Sequence, residues 1–369
     1  MNKATKISIA FPRYTQEVFV GYNLTDIIIE KIKKGNYDKV ILLVDETVKR
    51  KFNVKINKLI KHVFTRVVIP SFYLKGKKFF LIGRILHLLK TTSASRKSCI
   101  CVIGGGSLGD LAGFAASIYM RGVDMIYIPT TFMSQADTII GKVGVNLGNH
   151  KNLVGSFYSP RYTFCDLDYI RTLDHYQILS GLVEVWKHSI LKNDLKLEKQ
   201  VIDCLIVDKK TELINIISRS ILIKKTFAEK DTYDSLGIHK LLSFGHTFAN
   251  YAETNKKILH GEGVLYGILF ETFLSYELGN INEEKKNKIL KTFILFHKYL
   301  NRDREIIRML NSRKFVKQVY FDKINSHHKL NFVIPNDVGC VLQKNTKPAI
   351  LEEVVNKYIA YLTSLTLLN

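Results

Sequence analysis

The sequence predicts two domains: an α/β N-terminal domain of Rossmann-like type with a parallel sheet, and a mostly α-helical C-terminal domain. Three observations predict this division. A chain of 369 residues exceeds the usual size of one domain. Short apolar segments alternate with helical patterns in the first part of the chain, which is typical of a parallel sheet. After Pro160 the pattern is mostly helical, and we place the domains at residues 1–168 and 169–369.

Composition and charge exclude several classes of protein. No apolar run reaches the roughly 18 residues that a membrane span needs, and the N-terminus lacks the apolar core of a signal peptide. The five cysteines show neither disulfide nor metal-site spacing, which fits a reducing compartment. The net charge of +22 invites a nucleic-acid interpretation, but the lysines are scattered and no nucleic-acid module is recognisable. We therefore expect a cytoplasmic enzyme with an anionic substrate, binding no nucleic acid and no membrane.

The first predicted strands and helices lead to one acidic residue. The strands are predicted at residues 6–11, 18–20, 39–44 and 67–69, and the helices at residues 24–33 and 80–91. Asp45 directly follows the buried strand at 39–44. In a nucleotide-binding fold, an acidic residue at this place commonly accepts hydrogen bonds from a ribose, although a lone aspartate is as often a helix cap.

A glycine-rich turn joins a buried strand to a helix. Gly104, Gly105 and Gly106 lie between a predicted strand at residues 99–103 and a predicted helix at residues 111–119. Because glycine has no Cβ, the backbone can approach a phosphate there, and a helix N-terminus offers free N–H groups. A glycine triplet alone is as often only a tight turn.

Polar residues follow a further predicted strand, at residues 125–128. They are Asp137, Lys142, Lys151 and Asn152, and they lie among glycines. In an open α/β sheet, the carboxyl ends of the strands form the crevice where ligands bind. We therefore expect these side chains in that crevice, where they suit an anionic, hydroxylated ligand.

The C-terminal half contains a candidate metal site. A predicted helix carries Glu184, Lys187 and His188 on one face, and an isolated pattern of this kind is more often a surface ion pair. His246 and His260 lie beside glycines, although an isolated histidine is more often structural than a ligand. With Glu184, the two histidines form a plausible His₂Glu set for Zn²⁺ that leaves coordination positions open for a substrate.

An ordered series of motifs covers most of the chain. It comprises GGGSLGDLAGF, YMRG, PTTF, GKVGVN, KNLVGSFY, GLVEVWKH, SFGHTF and HGEG. As a set, it resembles 3-dehydroquinate synthase and its sugar-phosphate cyclase relatives. The resemblance implies a dehydroquinate synthase-like fold, in which the helical C-terminal domain binds the metal.

The resemblance also implies a reaction. The enzyme would be a phosphorus–oxygen lyase that uses NAD and Zn²⁺, with Co²⁺ as an alternative, in the shikimate pathway of aromatic amino acid biosynthesis. It would convert 3-deoxy-arabino-heptulosonate 7-phosphate into 3-dehydroquinate and phosphate. Transient oxidation by NAD acidifies a C–H bond, phosphate is eliminated, the hydride returns and an internal aldol step closes the ring.

The resemblance assigns roles residue by residue. Glu184, His246 and His260 coincide with the family's metal ligands. The residues expected to hold NAD are Asp45, Gly104, Gly105, Gly106, Gly109, Asp110, Thr130, Thr131, Lys142, Lys151 and Thr172. The residues expected to contact the phosphorylated sugar are Asp137, Lys142, Asn152, Lys187, Lys224, Arg121 and Lys323. Arg121 is expected to reach a phosphate across a homodimer interface. Without the resemblance, Arg121 would be interpreted as an arginine at a helix end, and Lys323 would be interpreted as a solvated surface lysine.

Several positions depart from the family pattern. The family's Gly-Glu-x-x-Lys motif is missing, although Lys77 could replace its lysine, and the loop before Lys142 is one residue shorter. Dehydroquinate-forming members have an arginine, an asparagine and a second histidine around the GHTF motif. The residues found here are His239 (or, with a shift of one residue, Lys240), Ser243 and Asn250. Neither histidine nor lysine reproduces the two-pronged contact of arginine with a carboxylate.

These departures leave the substrate open. A cyclase of sedoheptulose 7-phosphate or glucose 6-phosphate is the main alternative to the dehydroquinate-forming activity, although Lys224, a carboxylate contact of the family, is retained. An iron-type or glycerol-type alcohol dehydrogenase would share the fold, but it uses an aspartate and histidines for its metal, so Glu184 argues against it. A non-catalytic relative would be expected to lack the metal-binding set.

Overall fold

The structure, a computed structural model, describes residues 4–12, 14–74, 77, 79–148, 150–207, 212–255, 258–310, 312–320, 325 and 329–368. The chain forms two compact units. Unit 1 contains Met1–Asp174 and Leu213–Ser235, and unit 2 contains His175–Glu212 and Leu236–Asn369. This division differs from a single boundary at residue 168, because the segment Leu213–Ser235 groups with the N-terminal part.

Unit 1 is built on a sheet of seven strands. The chain of unit 1 forms, in order, β1 (Thr5–Ala10), β2 (Thr15–Gly21), β3 (Val40–Asp45), β4 (Thr65–Ile69), β5 (Cys99–Gly104), β6 (Asp124–Pro129), β7 (Val143–Leu147), β8 (His150–Ser156) and β9 (Tyr162–Asp166). The order in the sheet is β1-β2-β9-β6-β5-β3-β4, and only the β1–β2 pair is antiparallel. Strands β7 and β8 form a separate antiparallel hairpin. The predicted α/β domain with a parallel sheet is therefore confirmed.

Helices cover the two faces of this sheet. They are α1 (Thr25–Lys34), α2 (Glu46–Lys51), α3 (Asn53–Ile60), α4 (Ser71–Leu74), α5 (Phe80–Thr91), α6 (Gly106–Ile118), α7 (Phe132–Ala136) and, later in the chain, α10 (Leu213–Lys230). All six residues of β3 are buried, as expected for a parallel strand covered on both faces. Leu43 joins the core that contains Ile85 of α5, whereas Leu42 joins the core that contains Ile28 of α1.

The topology brings two predicted cofactor-binding elements together. From β3 the chain goes first to β4 on one side and then to β5 on the other side. In such sheets, ligands bind at the carboxyl ends of strands where the order reverses in this way. Asp45 ends β3 and Gly104 ends β5, and a Cβ on Gly104 would lie 3.5 Å from the Cβ of Asp45.

Unit 2 is mostly helical, as predicted. Its helices are α8 (His175–Leu191), α9 (Leu195–Val207), α11 (His246–Asn255), α12 (His260–Glu277), α13 (Glu283–His297), α14 (Asp303–Met309), α15 (Ser312–Val319) and α16 (Pro348–Leu368), with one hairpin of β10 (Phe332–Asn336) and β11 (Gly339–Gln343). Aromatic rings form its centre: Phe270 of α12 lies 5.4 Å from Phe248, 5.0 Å from Phe315 and 5.5 Å from Tyr358, between ring centroids. Among the described residues, no helix has both the length and the apolar content that a membrane span requires.

Two local expectations were wrong. Lys151 and Asn152 lie inside β8 of the hairpin and not after the end of a strand of the main sheet. The helix expected at residues 111–119 begins five residues earlier, at Gly106, so the glycine turn includes its first residue. In both places the many glycines hid a regular element.

Candidate metal centre and cofactor-binding residues

Three side chains of unit 2 converge on one point. Glu184 lies on α8, His246 is the first residue of α11, and His260 is the first residue of α12. Oε1 of Glu184 lies 3.7 Å from Nε2 of His246 and 3.2 Å from Nε2 of His260. One ligand atom from each residue lies within 4.8 Å of the others. The three residues that the sequence singled out as metal ligands thus face one another.

Close packing of helices holds these residues in place. A Cβ on Gly267 of α12 would lie only 1.9 Å from the carbonyl oxygen of Gly245, so α12 passes against the residue before His246. At the start of α12, the backbone N–H of Gly261 donates to Oγ of Ser180 on α8, at 3.1 Å. Neither contact was predicted from the sequence, although the glycines beside the two histidines were a signal of close helix packing.

The imidazole rings are oriented by acceptors on their far side. Nδ1 of His246 lies 3.0 Å from the carbonyl oxygen of Phe244, and Nδ1 of His260 lies 2.9 Å from Oε1 of Glu253. Since both partners are acceptors, each Nδ1 can donate its hydrogen to them, which leaves Nε2 of each ring available to bind an ion through its lone pair. Burial, with the nearby Lys187 ammonium, lowers the pKa of His246 to about 3, so its ring is neutral.

This arrangement fits a divalent metal ion. Lone pairs on two imidazole nitrogens and a carboxylate oxygen point at one another, and a cation is what such a set of acceptors needs. Two histidines and a glutamate form a ligand set that Zn²⁺ takes in catalytic sites. Partners that hold the far ring nitrogen are typical of metal-bound histidines.

Lys187 is buried against the same carboxylate. Its Nζ lies 2.6 Å from Oε2 of Glu184 and donates to the carbonyl oxygen of Leu242 at 3.0 Å. Burial alone would raise the pKa of Glu184, but the ammonium group of Lys187 outweighs it and holds that pKa well below its usual value. Glu184 is therefore a charged carboxylate even without an ion.

In unit 1 the glycine turn leads into α6. Gly105 precedes the helix and Gly106 is its first residue, so free N–H groups lie at the carboxyl end of β5. The backbone N–H of Thr130 donates to the carbonyl oxygen of Gly104, at 3.1 Å. Gly109 has another role in the fold: a Cβ there would lie 2.6 Å from the ring of Tyr127, so this glycine lets α6 pack on β6.

A lysine connects two further predicted residues. Nζ of Lys77 contacts Oδ2 of Asp110 and lies 2.9 Å from Oδ1 of Asn152. Lys151 is the next cation in this group, and its pKa is lowered by burial and by the charge of Lys77. Lys77, considered above as a replacement for a family lysine, thus lies beside Asp110 and Asn152.

A second ion pair joins α10 to the residues after α7. Nζ of Lys224 lies 2.9 Å from Oδ1 of Asp137 and donates to the carbonyl oxygen of Thr138 at 2.6 Å. Nζ of Lys142 lies 3.7 Å from Oδ2 of Asp234. The sequence analysis had assigned Lys224 to the second domain, but its contacts are with unit 1.

Two of the other predicted NAD residues already cap helices. Oδ1 of Asp45 accepts from the N–H of Val48 at 3.1 Å and caps α2, which is one of the two roles left open above. Thr131 caps α7 in a reciprocal arrangement with Ser134. Thr172 is exposed at the end of a short 3₁₀ helix, Leu167–Thr172.

Arg121 stands apart from both groups. It is exposed and has a positive φ of 65°, in a turn where Met120 also has a φ of 48°. Within the part of the chain that the structure describes, no contact brings Arg121 to these groups. Lys323 lies outside the described residues.

The three departures from the family pattern lie in unit 2. His239 is buried in the 3₁₀ helix Ile238–Ser243, which Ser243 ends, and Asn250 lies one helical turn after His246 on α11. Two acidic residues near the site were not predicted from the sequence. Glu253 bonds His260 as described, and Oε2 of the buried Glu271 accepts from the N–H of Gly245 at 2.5 Å. The position of Glu253, seven residues after His246 in a helical pattern, was a signal for the first of them.

Comparison with solved structures identifies the class of fold. A structure of 2-deoxy-scyllo-inosose synthase, complexed with carbaglucose-6-phosphate, NAD⁺ and Co²⁺, matches with a TM-score of 0.78 and 21% identity over 96% of this chain and 99% of that one. ValA, a 2-epi-5-epi-valiolone synthase from Streptomyces hygroscopicus with NAD⁺ and Zn²⁺ bound, matches with a TM-score of 0.74 and 19% identity over 95% and 99% of the chains. The chain thus has the fold of these synthases.

Comparison of sequences identifies the family. The family model described as the 3-dehydroquinate synthase N-terminal matches residues 73–180, and the C-terminal one matches residues 181–324. A 3-dehydroquinate synthase from Alkaliphilus oremlandii is 35% identical over 359 residues, which are 95% of this chain and 96% of that protein. The chain belongs to the 3-dehydroquinate synthase family, and the resemblance drawn from its motifs is confirmed.

Proposed function

We propose that this protein is a carbocycle-forming phosphorus–oxygen lyase of the 3-dehydroquinate synthase type. Its substrate is 3-deoxy-arabino-heptulosonate 7-phosphate, and its products are 3-dehydroquinate and phosphate, in the shikimate pathway. The observation that carries the proposal is the convergence of Glu184, His246 and His260 in a chain that matches this family over nearly its full length. NAD and a divalent ion, Zn²⁺ or Co²⁺, are its proposed cofactors.

Each cofactor has a proposed place and a proposed contribution. Glu184, His246 and His260 would hold the metal ion, which supplies Lewis-acid polarisation of a substrate oxygen. The glycine turn before α6, with Asp45, Thr130, Thr131 and Thr172, would hold NAD, which supplies reversible hydride acceptance.

The chain's own cations bind and orient the substrate. Lysine ammonium groups donate charge-assisted hydrogen bonds to phosphate, and Lys142 and Lys151 are the candidates in unit 1. Lys224, held by Asp137, keeps its ammonium fixed in advance, which lowers the cost of ordering it when the substrate binds. In unit 2, Lys187 holds the second oxygen of Glu184 and so leaves the first oxygen for the ion.

We propose that the protein acts as a homodimer in the cytoplasm. The turn that carries Arg121 also exposes Ile118 and Met120, which are 45% and 50% accessible. Apolar side chains around an exposed arginine are typical of interfaces between proteins. The described cysteines are all free, which suits a reducing compartment. Light scattering, which measures the mass of the protein in solution, tests the dimer. In an activity assay, Arg121→Ala should lower turnover while leaving folding intact.

A cyclase of another sugar phosphate is the second candidate, and specific residues favour it. His239, Ser243 and Asn250 stand where dehydroquinate-forming members have arginine, asparagine and histidine. His239 is buried at 4% accessibility, and burial makes a charged imidazole costly, so it is a poor substitute for a guanidinium facing a carboxylate. Sedoheptulose 7-phosphate and glucose 6-phosphate, which have no carboxylate, are the substrates of this alternative. An alcohol dehydrogenase is a more distant alternative function.

A phosphate-release assay separates the candidates. The purified protein with NAD⁺ and Zn²⁺ is given 3-deoxy-arabino-heptulosonate 7-phosphate, sedoheptulose 7-phosphate or glucose 6-phosphate in turn. Phosphate release from the first substrate, without net change in NADH absorbance, supports the proposal. Release from a neutral sugar phosphate alone supports the second candidate. Net NADH formation with a polyol and no phosphate release would contradict both cyclase functions.

A further inference from the structure

Both ring nitrogens of His260 face a carboxylate. Nε2 lies 3.2 Å from Oε1 of Glu184, and Nδ1 lies 2.9 Å from Oε1 of Glu253. Glu184 belongs to the metal-binding set, but Glu253 does not, because it contacts the ring on the side that points away from the proposed ion. A role for Glu253 must therefore act through His260.

The helix α11 explains why Glu253 reaches this place. Glu253 comes seven residues after His246, which is two helical turns, so both side chains lie on one face of α11. The side chain of Glu253 is only 9% accessible, so most of it is shielded from water, whereas the side chain of His260 is 37% accessible. A single helix thus supplies one candidate ligand and the partner of the other candidate ligand.

The chemistry of the pair fixes the position of one proton. Carboxylate oxygens accept hydrogen bonds, and Nδ1 of His260 faces Glu253 while Nε2 faces Glu184. When Nε2 binds an ion through its lone pair, the hydrogen of the neutral ring must lie on Nδ1, which donates it to Glu253. In a neutral imidazole, a hydrogen on Nδ1 leaves the lone pair on Nε2, the nitrogen that faces Glu184. His246 is held differently, because its Nδ1 faces the neutral carbonyl of Phe244. Hydrogen bonds to a charged acceptor are roughly twice as strong as those to a neutral one.

We infer that Glu253 is a positioning residue, which holds Nδ1 of His260 by a hydrogen bond and so turns Nε2 of that ring toward the metal position. This inference rests on the metal site of the proposed function. It adds that the two histidines are unequal: His260, paired with a carboxylate, is the more firmly oriented ligand.

A matched control is available in the same unit. Glu198 of α9 is a glutamate with 10% accessibility, and its Oε2 lies 2.6 Å from Nζ of Lys288. Glu198→Gln therefore removes a charge of similar burial from an ion pair that does not include a candidate ligand. Glu253→Ala removes the acceptor, whereas Glu253→Gln keeps an oxygen that can accept from Nδ1 of His260.

Two measurements test the inference, and one of them needs no metal. Zinc affinity is measured by competition with a chromophoric chelator. Glu253→Ala should weaken it by about 10- to 100-fold, the usual effect of losing such a partner. Zinc affinity should fall less in Glu253→Gln, and it should not change in Glu198→Gln. In metal-free protein labelled with ¹⁵N-histidine, NMR should show a hydrogen on Nδ1 of His260 in the wild type and in Glu253→Gln, and no hydrogen on Nδ1 in Glu253→Ala, whatever Nε2 carries.

The results discriminate between this inference and the proposed function. A hydrogen that stays on Nδ1 of His260 in Glu253→Ala overturns the inference, even if zinc affinity falls, because the loss would then be only structural. Unchanged zinc affinity in Glu253→Ala overturns it as well. If the wild type binds no zinc, the metal site of the proposed function fails, while the hydrogen on Nδ1 of metal-free His260 still tests Glu253.

Discussion

Replacing Lys187 by methionine tests the charge balance of unit 2 before any ion binds. Nζ of Lys187 lies 2.6 Å from Oε2 of Glu184, and the two side chains are 2% and 1% accessible. Methionine keeps most of the apolar stem of lysine but removes the ammonium group. The variant therefore leaves Glu184 as a buried carboxylate without its cation.

The cost follows from the burial of the pair. Removing one partner of a buried ion pair typically costs about 3–5 kcal/mol, because the remaining charge is uncompensated. We therefore expect the free energy of unfolding of unit 2 to fall by about 3 kcal/mol. The double variant Lys187→Met/Glu184→Gln should recover most of that loss, because it buries no charge.

The chain contains its own probe for this measurement. Trp186 is the single tryptophan, it is fully buried, and it neighbours Lys187 on α8. Urea unfolding of chelator-treated protein, followed by tryptophan fluorescence, therefore reports on unit 2. The free energy comes from linear extrapolation, with the denaturant dependence checked for equality between variants.

A matched control and a clear contrary result complete this test. Lys357 forms an ion pair with Glu277 at 2.6 Å but is 46% accessible, so Lys357→Met should change the free energy of unfolding only slightly. The reasoning is refuted if Lys187→Met costs no more than this exposed control. It is also refuted if the double variant is no more stable than Lys187→Met alone.

Three further predictions concern the same cluster. Glu184→Ala should abolish turnover and lower the bound zinc measured by atomic absorption; normal zinc content would remove Glu184 from the metal set. The pKa of His246 is lowered to about 3, so on acidification the unfolded chain binds this proton first. The free energy of unfolding of metal-free protein should therefore fall as the pH drops from about 6.5 toward 3, and His246→Asn should flatten that dependence; an identical slope would contradict the assignment. Gly267→Ala places a methyl group against the carbonyl of Gly245. This change should lower the free energy of unfolding by about 1–3 kcal/mol and weaken zinc binding. An unchanged thermal midpoint would argue against the close helix contact.

Much of the fold could be predicted because its strongest signals are local. The six buried residues of β3 and the apolar run before Gly104 are strands by composition alone, and alternation with helices implies a parallel sheet. The hairpin of β7 and β8 escaped because its strands contain glycine, lysine and asparagine, which are weak strand formers. Its pairing depends on contacts between strands that composition does not reveal.

The candidate site, too, could be predicted only in part. Glu184, His246 and His260 were accessible to sequence reasoning because their residue types and glycine neighbours are unusual together. Glu253 was missed although its spacing from His246 places both on one face of α11, because a glutamate in a helix is ordinary until the position of its partner is known. The grouping of α10 with unit 1 also could not be predicted, because it rests on long-range contacts of α10 with that unit, among them the ion pair of Lys224 with Asp137.

The path of the chain gives the three ligands an additional effect. Glu184 precedes the excursion Leu213–Ser235 into unit 1, whereas His246 and His260 follow it. An ion held by all three would therefore close a loop of 62 residues, measured from Glu184 to His246, and act as a reversible cross-link. Such a link removes freedom from the unfolded chain and favours the native fold by loop-closure entropy. Chelation would then lower the free energy of unfolding for a segment of chain that includes α10, even though α10 carries none of the ligands.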